Sequence, residues 1–528
     1  MIRDARELPA GEKLDVDVCI VGAGPVGIIV ARELAGSGPS IAVIENGGRV
    51  PAKSTQLLTD TESVGYPYPR FPVATASAVG GNSHRWGANG ELYWHARPLD
   101  RIDFERRDGF PLSGWPFGRD QLAPYYARAE ALFGVPSFDV SDSAEAPDAA
   151  TALPIRPGTF VVRELRHGKL PFDRELELLA SAANVDLILN GHVSQLRSDE
   201  RDPDRVDGVT VLAEGGRQFV VRARIVVLAT GGIGNARLLL LGNDRHPRGI
   251  GNDHDLVGRF FMEHTAVRSG VVFPRDSALL DNALLDVSEI DGGRARSVIG
   301  PSDDILRKSE LPNTYLHLEA RPQAFAAAGV RSAAELARAP HFQPRVPGLT
   351  TRAARVARDL PSVVRTALAG RLGSANEVIV VRAQGEQSPN PDSRVTLSTS
   401  TNAYGIRRAR LDWRVTESDL SAIRRTQEML GEEMRSAGIG RLESLLEDRR
   451  HPALVSGHCH HLGTTRMADH PDQGVVDPNG RVHGMANLFV AGGSVFPTVG
   501  AANPTLTIAA LAMRLADRLR EEAHLQAF

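Results

Sequence analysis

The sequence predicts an α/β fold, and three observations predict it. Val16 to Val21 is a short apolar run that meets a glycine turn and then residues at helical spacing, and Ile225 to Leu228 does the same later in the chain. Both have the length of fully buried strands in a parallel sheet. The tract 376–415, NEVIVVRAQGEQSPNPDSRVTLSTSTNAYGIRRARLDWRV, alternates apolar and polar residues instead. That is the pattern of an antiparallel sheet with one covered face. A chain of 528 residues is long enough for two or three cores, at roughly 150 residues each. Its 42% hydrophobic and 24% charged residues are those of an ordinary soluble globular protein. A net charge of −3 and a pI near 6.6 give no general attraction to nucleic acid or anionic membrane.

The first element, VDVCIVGAGPVGIIVARELAGSG, carries a G-x-G-x-x-G turn after its strand. Gly22 permits the tight turn, Gly24 lets a pyrophosphate approach the backbone, and Gly27 lets helix and strand pack closely. The start of the helix then offers N–H groups and a positive dipole end to phosphates. A second apolar strand, IAVIE, ends in Glu45, about 20 residues beyond the turn, where a carboxylate accepts hydrogen bonds from a ribose. These pieces describe a Rossmann-like domain for a dinucleotide with an adenosine half. The motif does not choose between NAD and FAD. The segment ARIVVLATGGIGNARLLLL, residues 223–241, favours FAD, because a return strand ending in Ala229-Thr230-Gly231 backs that cofactor in two-domain flavoproteins. A plain crossover in any α/β sheet is the competing reading.

Several further pieces, taken in order, carry a resemblance. They are VGAGPVG, VGGNSHRWGANG (79–90), GWPFGRDQLAPYYARAEALFGV (114–135), ATGGIGNARLLL, VGRFFMEH (257–264), EQSPNPDSRVTL (386–397), HHLGTTRM, and NLFVAGGSVFPTVGAANPTLTIAALAMRLAD (487–517). In this order the chain resembles the glucose–methanol–choline (GMC) oxidoreductase family, in the branch of pyranose oxidases and flavin subunits of bacterial sugar and polyol dehydrogenases. The tract between about 270 and 380 has no part in the match. The resemblance implies a discontinuous FAD domain (13–95, 155–268 and 452–520) and a connector or lid (96–154). It also implies an α+β substrate domain on an antiparallel sheet (269–451). Within VGGNSHRWGANG, Gly80, Gly81 and Asn82 are expected beside the flavin ring, with a main-chain N–H toward it. Gly492, Gly493 and Ser494 are expected to face the pyrophosphate or ribityl chain. Pro504 and Thr505 begin a helix aimed at the flavin pyrimidine ring. Some members of the family tether FAD through a His directly before the Trp of the 79–90 loop. Here Arg85 precedes Trp86, and His84 is one position early, so FAD is expected to be non-covalent unless the register shifts locally.

The stretch SGHCHHLGTTRM places His458, Cys459, His460 and His461 together. Read alone it leaves alternatives open. Four consecutive residues cannot all face one metal ion, and no C-x-x-C or H-x-x-x-H pair stands elsewhere to complete a site. A thiolate mechanism through Cys459 needs an activating cation or helix start. A structural histidine is the third reading. The resemblance places a general base at His460 and a positioning carboxamide at Asn503; on the spacing above, no metal is expected. Alcohols release hydride readily only as the O–H proton leaves, and an imidazole of near-neutral pKa suits that task.

The function expected is FAD-dependent oxidation of a hydroxyl, on a sugar, glycoside or aminosugar, to the carbonyl. The reduced flavin returns its electrons to oxygen or another acceptor. A flavin subunit of a dehydrogenase complex and a non-redox lyase of the same family are the alternatives. The N-terminus, MIRDARELPAGEKLDVDV, is charged and reads as neither leader nor anchor. Cys19 and Cys459 are the only cysteines, so no disulfide framework is expected and the cytoplasm suffices. The Ala- and Arg-rich tract 321–375 reads as a solvated helical insertion, with a basic amphipathic helix for a membrane or electron-accepting partner as the competing reading. In it Arg352, Arg355, Arg358, Arg365 and Arg371 are expected to face few acids. Residues 137–154 read as a surface loop or lid. Partners expected are a small-molecule alcohol and an electron acceptor or second copy, not nucleic acid.

Overall fold

The computed structural model describes residues 1–86, 94–108, 110, 112–138, 153, 155–168, 172–285, 287–290, 293–372, 377–446 and 454–525. Two eight-stranded sheets dominate them. In the first, Lys13–Val21 pairs in parallel with Ile41–Ile44 on one side and with Arg217–Leu228 on the other. Leu488–Val490 joins Arg217–Leu228, also in parallel. The runs that read as buried strands are buried on both faces: Val18, Cys19, Ile20, Val226, Val227 and Leu488 have no exposed surface. The helix Pro25–Leu34 covers the sheet with Ile28, Ile29, Val30 and Leu34 and packs against the long helix Thr505–Leu525.

The register of this sheet decides where the site lies. Val21 stands opposite both Ile44 and Leu228, and Leu228 stands opposite Val490. The four residues that follow these, Gly22, Glu45, Ala229 and Ala491, therefore leave the sheet along one edge. That edge is the carboxyl end of the parallel strands, where open α/β sheets place their ligands.

The second sheet is antiparallel and forms a roof. Its order is Gly440–Ser444, His264–Pro274, Val378–Glu386, Thr314–Arg321, Gly293–Pro301, Phe160–Gly168 and Trp94–Ala96, with Val287–Ile290 on Gly293–Pro301. Alternation gives it two different faces. Val267, Ile299, Leu316, Leu318, Ile379, Val381 and Ala383 form a core with Ile423, Leu430 and Met434 of the helix Glu417–Ser436. Thr416 and Asp419 start that helix as a reciprocal capping box. The opposite face carries Arg268, Arg382, Gln384, Tyr315 and His317, and from it Gln384 reaches Ala501 and Asn503.

Some expectations change here. Phe160–Gly168 lies inside the segment expected in the FAD domain, yet it pairs in the roof. The alternating tract 376–415 divides: Val378–Glu386 is a roof strand, whereas Arg394–Thr401 and Arg407–Asp412 form a small sheet with Thr61–Ser63. Alternation shows that one face of a strand is covered but not which sheet covers it. Within 96–154, the helix Ala123–Phe133 is core, not lid. Tyr126 and Phe133 are buried, and the Tyr126 hydroxyl meets Thr507 Oγ1 at 2.8 Å. Most of the expected 137–154 loop, and Gly87 to Gly90, lie outside the described residues. The Ala- and Arg-rich tract forms the helices Ala328–Arg338, Leu349–Arg358 and Leu360–Leu372. Arg352 is not among solvated charges: it is buried against Glu335 at 2.5 Å, and Arg358 meets Asp359 at 3.1 Å. Pairing of Phe342–Gln343 with Tyr68–Pro69 anchors this insertion beside the cleft.

Candidate active site

A cleft of about 1660 Å³, its open mouth included, runs along the carboxyl edge of the parallel strands. It joins the glycine turns at the strand ends to the start of the last helix, the course a bound dinucleotide takes. Gly22, Gly24, Glu45, Gly81, Asn82, Ala229, Gly231, Gly492, Gly493, Pro504 and Thr505 all line it. The glycines show why they are glycines. A Cβ on Gly27 would stand 1.9 Å from the Gly22 carbonyl oxygen, so helix and strand meet there. A Cβ on Gly24 would meet no protein atom within 4 Å, and would project into the cleft that a phosphate needs. The helix Pro25–Leu34 has no side-chain cap, which leaves its first turn for a phosphate. The Glu45 carboxylate accepts from the Ala23 and Gly47 N–H groups at 2.9 and 3.0 Å. Burial raises its pKa against those bonds. Its oxygens keep lone pairs at the wall of the cleft for a ribose.

At the far end of the cleft stands the histidine segment. It is fastened at two points, Leu462 to Met262 just before the roof strand His264–Pro274, and Ser456 to Ala266 within it. Between them Cys459 takes φ 61°, and this bulge lets the neighbouring rings diverge. His461 turns into a cage of Tyr68, Phe71 and Phe261. His460 turns to His264, Nδ1 to Nδ1 at 2.9 Å, and its half-buried edge lines the cleft. The Glu263 carboxylate, wholly buried, holds the segment by accepting from the His458 N–H at 3.0 Å and the Tyr68 hydroxyl at 2.5 Å. Burial lifts its pKa to about 8.

The contact between His264 and His460 fixes both tautomers. His264 Nε2 lies 3.0 Å from the Gly500 carbonyl oxygen and 3.4 Å from that of Val499. Carbonyl oxygens only accept, so this nitrogen carries a hydrogen. Burial lowers the His264 pKa to about 4, so the ring is neutral and its Nδ1 is bare. His460 must then donate from Nδ1, which leaves His460 Nε2 as an unprotonated acceptor. Burial first, and then His264, His458 and His461, hold the His460 pKa well below the usual imidazole value. The result is a neutral base whose proton-accepting atom is dictated by its neighbour.

Comparison with known proteins agrees with this geometry. The FAD dependent oxidoreductase family matches residues 17–257, and the GMC oxidoreductase family matches residues 389–512. The chain thus combines a match to the FAD dependent oxidoreductases with a C-terminal match to the GMC oxidoreductases. Its cofactor is FAD.

Paromamine 6'-oxidase of Streptomyces fradiae is 27% identical to this chain over 549 residues, which cover 95% of it and 90% of the relative. The fructose dehydrogenase large subunit of Gluconobacter japonicus is 24% identical and covers 97% of this chain and 98% of its own. Among solved structures, the formate oxidase of Aspergillus oryzae aligns over 99% of this chain and 100% of its own, with a TM-score of 0.55 at 16% identity. That likeness concerns the fold alone.

Three predicted cofactor residues stand away from the cleft wall. Gly27 packs helix on strand. Gly80 turns the chain at φ 88°, and its N–H is taken by the Ala23 carbonyl at 2.8 Å. The Gly81 N–H is likewise taken by Ala78, so the expected main-chain donor to the flavin ring is not supplied by either glycine. Ser494 faces inward and does not line the cleft: it is wholly buried, and its Oγ accepts from Asn235 Nδ2 at 3.0 Å. Its place in a glycine turn suggested a ligand contact, but its neighbours use it to lock the turn to the helix Gly231–Leu241. His84 Nε2 contacts the Val79 carbonyl at 2.8 Å, while Trp86 lines the cleft. The Asn503 carboxamide is oriented by the roof: its Oδ1 accepts from Gln384 Nε2 at 3.0 Å, and its Nδ2 reaches the His95 carbonyl at 3.4 Å. Sequence reading missed His264, Glu263 and Gln384. VGRFFMEH held the first two, but nothing in it signalled a partner 196 residues away. The Cys459 thiol, lifted to about 12 by burial, is no thiolate nucleophile. Among the described residues no set of three metal-ligating side chains converges, and no helix is long and apolar enough to cross a membrane.

Proposed function

We propose that this protein oxidises a hydroxyl of a small, sugar-like molecule to the carbonyl, with His460 as general base. The observation that carries this is the bare His460 Nε2 at the cleft, held in that tautomer by His264. Oxidation of an alcohol removes one proton from oxygen and one hydride from carbon. Bound FAD supplies the two-electron acceptor for the hydride. His460 Nε2 accepts the hydroxyl proton, His264 keeps the opposite nitrogen of that ring occupied, and Asn503, set by Gln384, positions the substrate oxygen. Relatives named for paromamine, for fructose and for 2-methyl-1,2-propanediol support a hydroxylated substrate. FAD is held non-covalently, a reading supported by the engagement of His84 with Val79. Two cysteines and no disulfide are consistent with work in the cytoplasm. Anaerobic mixing with sugars, polyols and glycosides tests the reading: bleaching of the flavin, with one carbonyl formed per flavin, is expected. Failure of every alcohol to bleach it, with flavin bound, would favour the lyase alternative.

A second reading concerns the electron acceptor. A relative that is the large subunit of a fructose dehydrogenase points to a partner subunit in place of oxygen. Peroxide formed in step with carbonyl supports an oxidase; turnover only with an added electron acceptor supports the dehydrogenase subunit.

A further inference from the structure

The polar face of the roof carries more positive charge than proton removal from an alcohol requires. Arg268, Arg382 and His317 stand abreast on three adjacent strands. Arg382 Nε lies 3.5 Å from Glu319 Oε1, and Arg296 Nη2, from the next strand, lies 3.7 Å from the same oxygen. Arg321 takes the other Glu319 oxygen at 2.9 Å. One carboxylate thus serves three guanidinium groups, of which Arg382 and Arg296 are half-buried and Arg321 is exposed, as is Arg268 beside Arg382. Both ring nitrogens of His317 lack a hydrogen-bond partner among the described residues, although only 2% of the residue is exposed. A buried N–H without an acceptor is costly, and a ligand oxygen would relieve it. Burial, with Arg296 and Arg382 nearby, lowers the His95 pKa to about 3 and holds that of His317 well below the usual value. These imidazoles are therefore neutral N–H donors at working pH and not further cations.

This set adjoins the candidate base. The His458 ring stands 5.5 Å from that of His460, and His458 feels the charge of Arg382. Gln384, two residues from Arg382 on the same face, holds Asn503. His95 and His458 each keep some accessible surface beside this set. A neutral sugar uses none of this charge, and an ammonium group would be repelled by it. A carboxylate or phosphate would pair the surplus guanidinium charge and accept from His317, and the planar arginine fork matches both.

We propose that the substrate carries an anionic group, a carboxylate or a phosphate ester, which Arg382, Arg296 and His317 hold while its hydroxyl faces His460. This rests on the alcohol-oxidation reading above. The test uses the FAD-loaded full chain and four sugars of similar size: glucose, glucuronate, glucose phosphate and glucosamine. Binding to the oxidised protein is measured by calorimetry, separately from flavin bleaching. An anionic sugar is expected to bind at least about tenfold tighter than glucosamine, with glucuronate or glucose phosphate leading according to which group the site takes. In Arg382→Gln that ratio should fall toward one; Arg382→Lys should keep most of it. Inorganic phosphate should compete with the anionic sugar on the unaltered protein, a readout independent of whether a variant folds. Equal binding of charged and amino sugars, a ratio unchanged in Arg382→Gln, or no competition by phosphate would overturn the anion site. An anionic sugar that binds preferentially yet never bleaches the flavin would instead count against the oxidation reading and leave the anion site standing.

Discussion

Replacing His264 by phenylalanine keeps a flat ring in the buried slot between Val499–Gly500 and His460 but removes both of its nitrogens. The Nδ1–H of His460 then loses its acceptor at 2.9 Å. A buried donor left unsatisfied costs ~1–3 kcal/mol. The imidazole can escape that cost by moving its hydrogen to Nε2, where the cleft offers water or substrate as acceptor. The ring is then a donor at the atom that must accept. With ~1.4 kcal/mol for each factor of ten, flavin reduction at saturating substrate should slow by about 10- to 100-fold. Glutamine at 264 separates this effect from mere packing. Its amide N–H can donate to Gly500 and its carbonyl can accept from His460, so His264→Gln should recover most of the rate. The assay is anaerobic stopped-flow reduction of the flavin in each variant, with flavin content and melting temperature measured beside it. Both variants slowed equally, or His264→Phe within about threefold of the parent, would refute the tautomer argument.

His460→Ala should keep its FAD and lose ~10²- to 10⁴-fold in flavin reduction, the usual worth of a general base, so near-parental turnover would remove His460 from the reaction. Since a depressed folded pKa keeps an imidazole neutral above that value, the base is competent from alkaline pH down through neutrality. The acid limb of the rate profile should therefore fall well below pH 6.5, the ordinary value for histidine; a limb at or above it would contradict the burial of the pair. Gly27→Ala, whose Cβ would stand 1.9 Å from the Gly22 oxygen, should displace the helix start and yield protein poor in flavin, read from the flavin-to-protein absorbance ratio. Acid precipitation should leave the yellow colour in the supernatant, whereas a yellow pellet would show a covalent bond.

The cofactor half of this site was legible because its determinants are local. A turn that brings Gly27 against Gly22 within six residues must write its requirement into adjacent positions, and Glu45 follows at the end of the next strand. The reacting half is distributed. His264 becomes a partner of His460 only because the chain pairs Met262 with Leu462 and Ala266 with Ser456, and no spacing in the sequence announces such bridges. The arginine stripe is more hidden still. Each of three roof strands contributes one polar residue to an otherwise ordinary alternation, and only the register sets Arg268, Arg382 and His317 side by side. Ser494 failed for the opposite reason: its local context was persuasive, but the contact that uses it, Asn235, comes from another strand–helix unit.

That division has a chemical consequence. The glycine turns and the imidazole pair act on what every alcohol oxidation shares, a dinucleotide and a hydroxyl proton. In the proposed anion site the roof residues would act on what differs between substrates. Gln384 and Arg382 lie two residues apart on one strand face, so the group that orients Asn503 and the group that bears the surplus charge move as one rigid piece. A substrate anchored through its charge at Arg382 is thereby indexed to the carboxamide at Asn503, and through it to the reacting carbon. Shifting that strand by one residue would turn both side chains into the apolar core with Ile423 and Leu430. The two proposals together would couple substrate choice and hydroxyl placement through the register of a single β-strand.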